Sequence, residues 1–125
     1  MFNLEESYSV TNSYLLKLKN VIEEQASFTW FKTKYVSKKR IDDLLCCIEG
    51  SFPEEYKNHI REFGDLSLSG YRTYKNMANC IRKKALLFPD NYSIDFAHVL
   101  HQIKAFQSGL KSDLKKLCET GSNMF

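Results

Sequence analysis

The sequence predicts an all-α fold, a single-domain bundle of about five helices with short connections spanning residues 1–125. Three observations carry that expectation. Apolar side chains recur three and four residues apart along most of the chain, the spacing of a helix with one buried face. Only five Gly and two Pro are present, too little punctuation for a strand-rich fold. A chain of 125 residues, 43% hydrophobic and 26% charged, has the size and composition of one globular core, and it shows no internal repeat or low-complexity segment.

In the first helix, expected over residues 4–25, Leu4, Tyr8, Leu15, Leu18 and Ile22 form the apolar stripe and Lys17, Lys19, Glu23 and Glu24 the wet face. The stretch SFTWFKTKYV that follows fits either an extended linker or an extension of that helix. Phe28, Phe31 and Tyr35 keep helical spacing, whereas Phe28 and Trp30 alternate with threonines. The second helix begins after Ser37, turns Ile41, Leu44, Leu45 and Ile48 inward, and stops at Gly50 in a left-handed cap. Ser51-Phe52-Pro53-Glu54 reads as a capping box for a third helix, with Tyr56, Ile60 and Phe63 inward and Gly64 at its end.

DLSLSG is a loop that Leu66 and Leu68 anchor. A fourth helix over residues 70–88 buries Tyr74, Met77, Ala78, Ile81 and Ala85, and Pro89 forbids its continuation. The fifth starts after Asp90 or Ser93 and runs to about residue 119, with Phe96, Val99, Leu100, Ile103, Phe106, Leu110, Leu114 and Leu117 on its buried stripe.

Charge and cysteine usage narrow the function classes. The N-terminus carries Glu5 and Glu6 where a secretory leader has positive charge and an apolar core, and no apolar run reaches membrane-span length, so a cytoplasmic protein with no membrane association is expected. Cys46, Cys47, Cys80 and Cys118 show neither a C-x-x-C pair nor zinc-ribbon spacing and read as reduced, half-buried thiols. No glycine-rich phosphate loop, no G-x-S-x-G and no cysteine close in sequence to a histidine partner is found. No cofactor or bound metal is expected.

Two surfaces stand out. On the fourth helix Arg72, Lys75, Asn76, Asn79, Arg82 and Lys83 share one outward face, with no acidic residue between Asp65 and Asp90. Such a stripe attracts an acidic protein surface by steering, or phosphates by counterion release. Tyr71 beside it supplies an amphipathic anchor. A second basic cluster, Lys32, Lys34, Lys38, Lys39 and Arg40, follows Trp30 and Phe31, which read as core. The other surface lies on the fifth helix, where His98, His101, Ala105, Ser108, Gly109 and Ser112 face away from the apolar stripe together with Ile94. Its small residues make a groove for a second helix, or for a second copy of the chain.

Asp95, His98 and His101 are spaced three apart, so a metal site or a general acid-base pair is an alternative reading. The expectation drawn from the whole is a non-enzymatic protein-binding module, of the kind that inhibits a toxin or regulates an enzyme. A helical nucleic-acid-binding protein using the same basic face is the alternative.

Overall fold

The computed structural model describes residues 2–24 and 33–123, the side chains of 120–123 excepted. The chain is mostly helical, with a small two-stranded sheet that departs from the purely helical expectation. In chain order the elements are α1 (Leu4–Glu24), β1 (Thr33–Ser37), α2 (Lys38–Ser51), α3 (Glu54–Phe63), α4 (Ser69–Ile81), β2 (Asn91–Asp95) and α5 (Phe96–Asn123).

The helices pack on the stripes their sequences supply. α1 buries Leu15, Leu18, Val21 and Ile22, and α2 buries Ile41, Leu45 and Ile48 against it. From α5 come Val99, Ile103, Phe106, Leu110 and Leu114, none more than 1% exposed. Each such side chain contributes about 1.5–3 kcal/mol by leaving water. Phe52, Tyr56, Tyr71, Tyr74 and Phe106 form one ring cluster with centroids 4.9–6.2 Å apart, close enough for edge-to-face contacts.

β1 and β2 are antiparallel, with Thr33 opposite Asp95 and Ser37 opposite Asn91. Lys34, Val36, Tyr92 and Ile94 point inward and Thr33 and Tyr35 outward, so the extended reading holds for the last four residues of SFTWFKTKYV, Thr33 to Val36. Phe28, Trp30, Phe31 and Lys32 lie outside the described residues. The buried Lys34 ammonium sits 3.3 Å from the Phe96 ring centroid, and desolvation lowers its pKa against the opposing pull of Glu23. Each strand passes directly into a helix: the Ser37 side chain caps α2 by accepting the Arg40 N–H, and Asp95 Oδ1 accepts the His98 N–H at 3.2 Å to cap α5. That continuity is why the sequence predicts a helix start after Asp90 or Ser93 where the chain forms β2 first. Ile94 belongs to the sheet interior and not to the outer face of α5.

Several boundaries also move. α4 ends at Ile81 and not at residue 88, because the backbone after Arg82 pairs with β2. The Ser93 N–H donates to Lys83 O at 2.7 Å, the Ala85 N–H to Asn91 O at 3.2 Å, and Lys84 bridges Tyr92. This short segment covers the edge that β2 would otherwise present unpaired. Gly50 lies within α2, and the left-handed glycine is Gly64, with φ 94° at the end of α3. The capping box does not form. Ser51 Oγ donates to Ile48 O at 2.6 Å and pairs with Thr11 Oγ1 at 2.8 Å, while Pro53 precedes α3 without a side-chain cap. Phe63 and Leu66, expected to face inward, are 63% and 75% exposed, whereas Leu68 is buried.

A buried carboxylate fixes how α4 and α5 meet. Asp113, 3% exposed, accepts the Gly70 N–H at 3.1 Å, the Tyr71 N–H at 3.0 Å and the Tyr56 O–H at 2.8 Å. It thereby caps α4 from another helix, where free N–H groups and the helix dipole favour negative charge. Burial first, then the neighbouring Asp113 charge, pushes the Tyr56 hydroxyl well above its ordinary pKa. Beside this contact Gly70 and Gly109 let the two backbones touch. Gly109 therefore lies in the α4–α5 crossing and not in an open groove.

Candidate functional site

Arg82 and Lys83, expected on the fourth helix, belong to the segment that leaves it. Arg82 caps the end of α4, and its Nε lies 3.6 Å from Asp42 Oδ1 on α2. Tyr92 donates its hydroxyl to the same carboxylate at 2.9 Å. Arg82 is thus exposed but partly committed to the fold. Lys83 and Lys84 are exposed, and among the described residues neither forms an ion pair. Their backbone is fixed by the pairing to β2.

This edge carries an apolar tip at residues 86–88, which the sequence predicts as the end of the fourth helix. Leu86 is 98% exposed, Leu87 81% and Phe88 47%. Tyr35, outward on β1, meets Phe88 with ring centroids 4.9 Å apart. The tip is anchored at both ends: Ala85 is buried, and the Asn91 N–H donates to Phe88 O at 2.9 Å. Two leucines largely in water on a tied loop, next to Lys83 and Lys84, have the composition of an interface centre with a polar rim. The available signal was the run Leu-Leu-Phe-Pro, because a residue before proline is driven out of helical conformation.

The rest of the expected cationic face is exposed on α4. Arg72, Lys75, Asn76 and Asn79 all face solvent. Lys75 Nζ lies 3.8 Å from Asp65 and 6.0 Å from the Tyr71 ring. Tyr71 itself is half buried in the ring cluster; burial, then Asp65 and Glu49, raises its hydroxyl. It works more as packing than as a free anchor. The stripe is therefore split into an α4 part and a loop part at Arg82.

On α5, His98, His101, Ala105, Ser108 and Ser112 are exposed, as their outward placement required. Asp95 does not join the histidines in a cluster, since its carboxylate is occupied by the His98 backbone N–H. His98 turns instead to Cys80 on α4, with Nε2 3.6 Å from Sγ, and Gln102 Nε2 donates to the same sulfur at 3.5 Å. No sequence pattern joins residues 18 apart on different helices. Among the described residues, no group of three or more His, Cys, Asp or Glu is arranged to hold a metal ion.

All four cysteines are free, with Cys46 and Cys47 exposed where half-burial was expected. Among the described residues, no helix is long and apolar enough to cross a membrane. No protein-family model, curated protein sequence or solved structure matches the chain.

Proposed function

We propose that this chain is a non-enzymatic protein-binding module of the small inhibitor or immunity type, docking an acidic protein surface on the loop Leu86–Phe88. The supporting observation is the near-complete exposure of Leu86 and Leu87 on a backbone held by hydrogen bonds to β2. Leucines this exposed bury little apolar surface on folding. Buried against a partner, each contributes about 1.5–3 kcal/mol, and the fixed loop loses little entropy on binding. Lys83 and Lys84, exposed beside the loop, add steering toward carboxylates. Four free cysteines fit work in the reducing cytosol.

The test has two stages. Affinity capture from the native cell, with and without nuclease, identifies the partner; titration of that purified partner then compares wild type with two double variants. Leu86→Asp with Leu87→Asp is expected to weaken binding by about 100-fold or more, on the burial of two leucines, without changing thermal stability. Lys83→Glu with Lys84→Glu is expected to slow association at low salt, and the difference shrinks as salt rises. Equal affinity in the leucine variant overturns the reading. Capture that disappears on nuclease treatment replaces it with nucleic-acid binding, and a leucine-dependent dimer in sedimentation replaces it with self-association.

A further inference from the structure

We propose that Cys80 is the reactive thiol of the chain, a site of reversible oxidation by small hydroperoxides at which His98 accepts the thiol proton. Cys80 lies in the last turn of α4 and His98 in the first turn of α5, so the pair exists only because these helices pack together along their length. His98 Nε2 stands 3.6 Å from Cys80 Sγ, within hydrogen-bond range for sulfur. Asp95 Oδ1, by capping the His98 N–H, holds that first turn in place.

Gln102, one turn further along α5, donates its amide N–H to the same sulfur at 3.5 Å. Its carbonyl oxygen is buried and has no hydrogen-bond partner among the described residues. An unpaired buried acceptor costs about 1–3 kcal/mol, so this amide meets the site through its N–H and not through its oxygen. A donor directed at sulfur binds thiolate better than thiol, because the sulfur then carries full negative charge.

The three groups form a directed chain. Gln102 N–H donates to Sγ, and the S–H in turn donates to His98 Nε2 when the imidazole carries its proton on Nδ1. Proton transfer to Nε2 then leaves a thiolate facing a half-exposed approach. The sulfur attacks one oxygen of a hydroperoxide, an S–O bond forms and the O–O bond breaks. Sulfur gives up two electrons and becomes a sulfenic acid; the departing oxygen takes the proton from the imidazolium and leaves as water or alcohol. A small-molecule thiol restores the site in two displacements, the first releasing water and the second releasing its own disulfide.

The other cysteines supply the contrast. Cys46 and Cys47 are more exposed than Cys80, yet among the described residues neither thiol has a hydrogen-bonded base. Burial raises the Cys118 thiol, with the Glu55 and Glu119 charges adding to the shift. Access alone ranks Cys46 and Cys47 first; local chemistry ranks Cys80 first.

The full-length chain treated with hydrogen peroxide and dimedone, with each cysteine-containing peptide quantified by mass spectrometry over time, separates the two rankings. Cys80 is expected to form the dimedone adduct ahead of the other three. His98→Ala should slow Cys80 by about tenfold or more, a modest share of what a positioned base supplies, and leave Cys46 unchanged. His101→Ala, one turn away and exposed, should leave Cys80 at its wild-type rate. The proposal is overturned if Cys46 or Cys47 outruns Cys80 in the wild-type protein, a comparison that needs no variant, or if His98→Ala leaves the Cys80 rate unchanged.

Discussion

Asp113→Ala is expected to lower the unfolding free energy by about 3–5 kcal/mol, because hydrogen bonds to a charged acceptor contribute about 1.5–3 kcal/mol each and three donors lose theirs together. Two of those donors are backbone N–H groups at the start of α4, and the third is the hydroxyl of Tyr56, which is fully buried. None can turn to water without opening the α4–α5 contact. Part of the loss is offset, since the variant no longer desolvates a carboxylate. Asp113→Asn, which keeps an acceptor oxygen but not the charge at the helix N-terminus, should cost roughly half as much. For a domain whose total stability is about 5–15 kcal/mol, urea unfolding followed by far-ultraviolet circular dichroism resolves both. A midpoint for Asp113→Ala equal to wild type would show that this carboxylate is not what joins the helices.

The second large effect is steric and opposes helix propensity. Glycine to alanine within a helix ordinarily stabilises by about 0.5–1 kcal/mol. At Gly109 the new methyl carbon would stand 2.7 Å from Gly70 Cα, and at Gly70 it would collide with the Gly109 carbonyl and Asp113 Oδ2. Backbone cannot step aside as a flexible side chain does. Overpacking of this kind costs about 1–3 kcal/mol and outweighs the propensity gain, more so at Gly70 because the Asp113 cap is displaced as well. Gly70→Ala and Gly109→Ala are therefore expected to lower the melting temperature. Gly50→Ala, in a helix with nothing within 4 Å of the new methyl, is expected to raise it. Opposite signs for one chemical change at different positions test the crossing directly, and a Gly70→Ala protein as stable as wild type would refute it.

Which helices exist was legible because each buries its own periodic stripe. Leu15, Leu18 and Ile22 on α1, Ile41, Leu45 and Ile48 on α2, and Val99, Ile103, Phe106, Leu110 and Leu114 on α5 are all buried where their spacing puts them, while Phe96, Leu100 and Leu117 are half buried. The outward placement of Arg72, Lys75, His98 and Ser108 followed from the same periodicity. The failures share a different cause. β1 and β2 are five residues each and lead straight into helices, so alternation is too short to be told from a helical start, and pairing residues 33–37 with 91–95 is a long-range event. α4 stops at Ile81 because β2 offers its backbone better partners than another helical turn does, a competition decided by an element ten residues ahead in the chain.

The candidate surfaces divide along the same line. Exposed bases and histidines could be assigned one helix at a time. The Leu86–Phe88 tip emerged only once α4 ended early, and Asp113, absent from the apolar stripe read on α5, is buried by the groups it holds on α3 and α4. What the residues determined alone was the number of helices and the side each turns to the core, since periodic burial is a local property of the chain. What tertiary structure decided was everything that needs two segments at once: the sheet, the Gly70–Gly109 crossing, the Asp113 cap and the Cys80–His98 pair. Each depends on distances between elements, and those are fixed by packing and by the pairing of backbone groups that no single segment can satisfy.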